Sequence, residues 1–111
     1  MTADPQLLDA LTAYFRHYAT GHANAKTGNQ IIADIPAIRN LQALRPLVEE
    51  LRRSGMMIAA DVHDGYWLAA NEVEYRPWHN VFKGRALKIL RTCPIIERAH
   101  PVLANEPLDF G

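Results

Sequence analysis

Apolar residues recur at spacings of three and four near the start of the chain, at Leu7, Leu8, Leu11, Tyr14, Phe15 and Tyr18. That spacing draws one stripe along an amphipathic helix. Asp4 suits the N-cap, Pro5 the first helical position and Gly21 the stop, so the pattern predicts a helix over Pro5–Ala19. His22 to Lys26 is mostly polar and reads as a loop. Thr27-Gly28-Asn29-Gln30 then has the form of a capping box. Ile31, Ile32 and Ile35 come next, and Pro36 disfavours helical backbone at Ile35, which gives a short helix over Gly28–Asp34.

Pro36 to Asn40 reads as a turn that buries Ile38, with Asn40 as the cap of a third helix. Leu41, Leu44, Leu47, Val48 and Leu51 form the core stripe of that helix, which Gly55 ends. Gln42, Glu49, Glu50 and Arg53 fall on its opposite side, with Arg45 and Arg52 on one flank. Pro46, past the first turn, predicts a kink or a later start. The period then shortens. Met56–Ala60 is strand-compatible, Asp61–Gly65 ends in the Asp-Gly pair favoured in hairpin turns, and Tyr66–Ala69 is the return strand. Asn71 and Glu74 form a second possible capping box, which Pro77 interrupts. Trp78, Phe82, Ala86, Ile89, Leu90 and Cys93 restore helical spacing, predicting a helix over Tyr75–Thr92 that Pro94 ends. The remainder, with Pro94, Pro101 and Pro107, reads as an irregular arm whose Ile95, Ile96, Val102, Leu103 and Phe110 dock on something.

These elements predict a mostly helical α+β fold. Three helices followed directly by a two-stranded hairpin is the winged helix-turn-helix order, with the hairpin as wing and the third helix in a DNA major groove. The expected organisation is a winged-helix domain over residues 1–70, an added C-terminal helix over 71–93 and a tail over 94–111, within one compact domain.

The residues at those places resemble a group of phage and prophage winged-helix proteins, themselves similar to the N-terminal DNA-binding domain of the biotin operon repressor. The resemblance runs through Thr27 to Ile32, then Leu44 to Gly55, then Ile58, then Gly65-Tyr66-Trp67-Leu68-Ala69. A further helix with an arginine-alanine pair is matched by Arg85-Ala86. It covers about Leu7 to Arg91 and implies DNA binding in a regulatory role. Two features depart from the group's pattern: Asp61 and Asp64 make the wing turn acidic, where phosphate would be repelled, and Pro46 lies inside the recognition helix.

About half the residues are hydrophobic (49%), enough for one core in 111 residues. No apolar run approaches the ~20 residues needed to cross a bilayer, and Met1 to Asp9 carries no basic-then-apolar signal pattern. The one cysteine, Cys93, has no partner for an internal disulfide, so a reducing cytoplasm is expected. The formal net charge is zero, so any nucleic-acid contact must come from a locally positive face.

The expected DNA-contacting residues are Thr27, Asn29 and Gln30 at the start of the second helix, whose amides suit phosphate, and Arg39, Asn40, Gln42 and Arg45 at the front of the third. Arginine pairs bidentately with guanine, and asparagine or glutamine with adenine. Glu49 and Arg53 continue that outer side, and His63 stands at the wing tip. Thr27 and Asn40 have an alternative role as plain caps. Arg52 and Arg53 either touch phosphate or complement the helix dipole. The added helix carries Trp78, Phe82, Ile89 and Leu90, which a twofold homodimer would cover; the alternative is that this helix packs back onto the first helix of its own chain.

No metal, cofactor or small-molecule substrate is expected. The histidines, His17, His22, His63, His79 and His100, form no i, i+4 pair, and Cys93 reads as a buried small residue rather than a nucleophile. Asp61, His63 and Asp64 read as turn chemistry, and no catalytic motif is present, so the chain is not expected to be an enzyme. The first expectation is a sequence-specific reader of double-stranded DNA, of phage or prophage regulatory type. The alternative, motivated by the zero net charge, the acidic turn and the apolar C-terminal segment, is a winged-helix protein-interaction module.

Overall fold

The computed structural model describes residues 3–102. Helix α1 spans Pro5–Tyr18, α2 Gly28–Asp34, α3 Leu41–Arg53 and α4 Glu72–Ala99; strands β1 (Ile58–Asp61) and β2 (Gly65–Leu68) form an antiparallel hairpin. The fold is therefore α+β and mostly helical. The chain divides into two compact units, Met1–Trp78 and His79–Gly111. The first turns of α4 thus belong with the helices and hairpin.

Each helix of the first unit begins where its sequence supplies an acceptor for the otherwise unbonded amides. Asp4 Oδ1 accepts from the Gln6 amide at 2.9 Å, and Asn40 Oδ1 accepts from the Ala43 amide at 2.9 Å. Thr27 Oγ1 accepts from Gln30 N at 3.1 Å while Gln30 Oε1 accepts from Thr27 N at 2.8 Å, a complete capping box. The far end of α3 closes in the Schellman manner. The Gly55 amide donates to Arg52 O at 2.9 Å, and the Met56 amide donates to Leu51 O at 3.1 Å. That cap takes Met56 out of the hairpin, so β1 starts at Ile58 rather than at Met56 as expected.

The core sits between α1, α2, α3 and β1. Leu11, Phe15, Ile31, Leu44 and Ile58 are fully buried, and Ile38 fills it from the turn between α2 and α3. Tyr14 reaches the edge of the core and donates its hydroxyl to Asp34 Oδ2 at 2.7 Å, tying α1 to α2; burial, then this bond, hold its phenol well above the usual tyrosine range. Two residues of the expected stripes stand at the rim instead. Tyr18, at the last turn of α1, is 64% exposed, and Leu41, at the first turn of α3, is 39% exposed.

The prolines do less than expected. α3 starts at Leu41 with Pro46 inside it. α4 starts at Glu72, three residues before the expected Tyr75, and runs through both Pro77 and Pro94 to Ala99, not to Thr92. A proline deletes one i to i−4 bond and crowds one carbonyl, but neighbouring bonds can carry a helix across it. Residues 94–99 are accordingly helix rather than an irregular arm. Cys93 is exposed, not buried, and Ile95, Ile96 and Val102 are exposed too. Leu103 and Phe110 lie outside the described residues.

The segment expected to be a plain loop is structured. His22–Asn24 forms a 3-10 turn, and the chain on either side of it bonds to β2. Leu68 N donates to Ala19 O at 2.7 Å and Gly21 N to Leu68 O at 2.8 Å; Lys26 N donates to Tyr66 O at 2.8 Å and Tyr66 N to Lys26 O at 2.7 Å. β2 is thereby paired on both edges. Gly65 makes this possible: its φ is +94°, and a Cβ there would overlap the backbone of Lys26 and Thr27. Gly65→Ala is expected to lower the unfolding free energy by about 1–3 kcal/mol, read by denaturant titration. Phe15→Ala, which empties the core centre, is expected to cost about 3–5 kcal/mol.

Candidate nucleic-acid interface

The caps that start α2 and α3 also shape the surface in front of them. The two N-terminal ends lie close together: a Cβ added at Gly28 would stand 2.5 Å from Leu41 Cδ2. Around this junction Asn29, Arg39, Gln42 and Arg45 are all exposed. Neither arginine takes part in an ion pair among the described residues. Pro46 has no N–H to give, so the Gln42 carbonyl lacks its i+4 helical donor.

Other expected contact residues are already engaged. Thr27 and Gln30 are the two halves of the capping box, and the Asn40 carbonyl oxygen is spent on its cap, which leaves its Nδ2 for an outside acceptor. Glu49 pairs with Arg52 at 2.8 Å, and Arg53 with Glu50 at 3.6 Å, both one turn apart on α3. Such exposed i, i+3 pairs are weak and leave Arg53 able to exchange partners.

Arg52 has a role beyond phosphate contact or dipole complement. Its Nε donates to Ile58 O at 2.9 Å, and its guanidinium lies 5.0 Å from the centre of the Trp78 ring. Its Nη2 is buried without a hydrogen-bond partner, and the cation–π contact with the ring partly offsets that loss. Trp78 in turn donates its indole N–H to Ala60 O at 2.7 Å. Trp78 thus sits against the hairpin of its own unit, unlike the expected dimer residues Phe82, Ile89 and Leu90, which are 53%, 66% and 62% exposed.

The hairpin turn uses its acids internally. Asp61 Oδ1 accepts from the His63 amide at 2.6 Å and from the Asp64 amide at 3.3 Å. Asp64 Oδ2 meets His22 Nε2 at 2.8 Å. The His22 ring stacks on Trp67 at 3.9 Å and 5°, and its amide donates to Glu74 Oε1 at 2.9 Å. His22 is therefore the clamp between turn, β2 and α4. Sequence reasoning missed it, because nothing in a polar loop marks one histidine as a clamp. The nearest signal was Asn71-x-x-Glu74: Asn71 does cap Glu74 N at 3.0 Å, but the glutamate turns to His22 rather than back to the cap. His63 is exposed at the tip, held through its backbone alone.

Among the described residues, no group of three or more His, Cys, Asp or Glu side chains is placed to hold a metal ion, and no helix is long and apolar enough to cross a membrane. No family model, curated protein or solved structure matches the chain.

The two amides donating to Asp61, first His63 and then Asp64, hold its carboxyl below its ordinary 3.8. The bonds favour the ionised form, so the turn keeps their full contribution above the unfolded carboxyl's value. It loses that contribution as pH falls through the lower folded value. An NMR titration of the Asp61 carboxyl is expected to show a midpoint below 3.8; a midpoint at or above it contradicts the assignment.

Proposed function

We propose that the first unit is a winged helix-turn-helix domain that binds double-stranded DNA, with α3 as the recognition helix and the β1–β2 hairpin as its wing. The observation that carries this reading is the junction of α2 and α3. Two capped helix starts meet there, and the side chains left exposed in front of them are Asn29, Arg39, Gln42 and Arg45. These are the types that pair with base edges. The free amides at the start of α2 suit a phosphate, which fixes register rather than sequence. Asn40 contributes its remaining Nδ2, and Thr27 and Gln30 act by shaping the helix start. The two aspartates of the turn are both engaged within the chain, and His63 stands exposed at the tip beside Val62. A regulatory role, of the phage or prophage type that the sequence resembles, is part of this proposal, as is residence in the cytoplasm.

One observation favours the second reading, a protein-interaction module. Over Met1–Trp78 acidic side chains outnumber basic ones, nine to seven, so the unit has no general attraction for phosphate.

Titration of the full chain with pooled random duplexes separates the two. The DNA reading predicts binding whose affinity falls steeply as salt rises, because phosphate contacts release counterions. Arg45→Ala is expected to weaken it by roughly 5–150-fold, the cost of about 1–3 kcal/mol for a lost base contact. Arg53→Ala, whose guanidinium already has a partner, is expected to change it by less than about 5-fold. A folded sample that binds no duplex at low salt overturns the DNA reading.

A further inference from the structure

We propose that the second unit pairs with a second copy of itself, α4 against α4, in antiparallel orientation. This pairing does not depend on DNA binding by the first unit. No residue of α4 is buried, although its distal half carries Phe82, Ile89, Leu90 and Ile96, all 46% exposed or more. The apolar positions are not scattered. Phe82, Ala86, Ile89, Cys93 and Ile96 alternate steps of four and three residues, the 3.5-residue repeat of a coiled-coil seam. Pro77 and Pro94, which α4 runs through without ending, both fall outside that seam.

The residues on the seam commit the occupant and its direction. Large and small alternate: Phe82, Ile89 and Ile96 in one row, Ala86 and Cys93 in the other. In a parallel pair each residue meets its own copy. Alanine would face alanine and leave a gap, while isoleucine would crowd isoleucine. In an antiparallel pair the two rows face each other, so the isoleucines meet alanine and cysteine, and Phe82 falls opposite the partner's His100 just past the end of α4. With Ile89 opposite the partner's Cys93, Ala86 falls opposite the partner's Ile96. The twofold axis makes both contacts occur twice.

Charge agrees with that register. The described part of the unit is strongly basic, with Lys83, Arg85, Lys88, Arg91 and Arg98 against Glu97 alone. Two such helices repel unless the one acid is well placed. The register brings Lys83 beside the partner's Glu97, and Glu97 beside the partner's Lys83, at the flank of the seam. A parallel pair offers Glu97 only Thr92 at the corresponding flank. Lys88, Arg91 and Arg98 face outward on both copies, and Arg85 lies on the other flank of the seam, beside the partner's Ala99. The seam uses neither Val81 nor Ile95, which are exposed on the other side of α4.

Sedimentation equilibrium of the full chain at tens of micromolar is expected to give twice 12.5 kDa. Ile89→Asp is expected to weaken association by more than about 100-fold, since it puts a charge in a closed layer. Val81→Asp, off the seam, is expected to leave the mass unchanged. Both positions are exposed in the single chain, so unaltered circular dichroism separates loss of pairing from loss of folding. Lys83→Glu is expected to weaken pairing by roughly 2–10-fold, and Glu97→Lys added to it to restore the affinity. Direction is read by oxidation. The natural chain, with Cys93 alone, is expected to give no disulfide-linked dimer, whereas Ile89→Cys is expected to link to the partner's Cys93. A monomer at these concentrations overturns the proposal, whether or not the chain adheres to anionic lipid vesicles. Ready cross-linking of the natural chain through Cys93, which would mark a parallel pair, overturns it equally.

Discussion

The whole arrangement depends on the pairing of β2 along both of its edges. A two-stranded hairpin alone is marginal in water, since it buries too little to offset the order it demands. Here β1 bonds one edge of β2, and the chain between α1 and α2 bonds the other, through Ala19, Gly21 and Lys26. Those bonds fix where α2 begins, because Thr27, its cap, directly follows Lys26. They also demand glycine at position 65, where the backbones come too close for any side chain.

The same economy governs α3. Its inner face is closed by Leu44, Leu47, Val48 and Leu51, and its last turn is pinned by Arg52 to Ile58 and to the Trp78 ring. Removing that arginine would leave a buried carbonyl and an indole face without their partner. Keeping the charge with lysine would not suffice, because a lysine has no planar group to stack and donate at once. With its back and end held, α3 presents its front as a rigid surface. A reader of base edges needs rigidity there, because a side chain contributes most when its backbone is placed before binding. The hairpin is held to the same frame by His22, through a stack on Trp67 and a bond to Asp64.

Much of this was legible from residue spacing alone. The bounds of α2, the caps of α1 and α3, the burial of Ile38 and the Asp-Gly turn all follow from local rules, in which a residue acts on neighbours within four positions. What stayed illegible acts at longer range. The pairing of Lys26 with Tyr66 joins backbone groups that any sequence carries. The cation–π contact of Arg52 with Trp78 and the contact of His22 with Asp64 join residues far apart in the chain, from elements that spacing treats as separate. Helix ends at proline were misread for a different reason. Pro77 and Pro94 each remove one hydrogen bond, and α4 had enough others to continue. At the candidate site, spacing identified the exposed Arg39, Gln42 and Arg45, but it could not tell that Thr27, Gln30 and Asn40 would spend their side-chain oxygens on caps.

The most direct measurement is a residue-by-residue map of amide chemical shifts as a DNA duplex is titrated into the folded chain. The account predicts that the largest changes gather at the joined starts of α2 and α3, at Asn29, Arg39, Gln42 and Arg45, with a smaller set at His63 on the hairpin tip. Changes confined to the basic outer face of α4, or none at any duplex concentration, would contradict it.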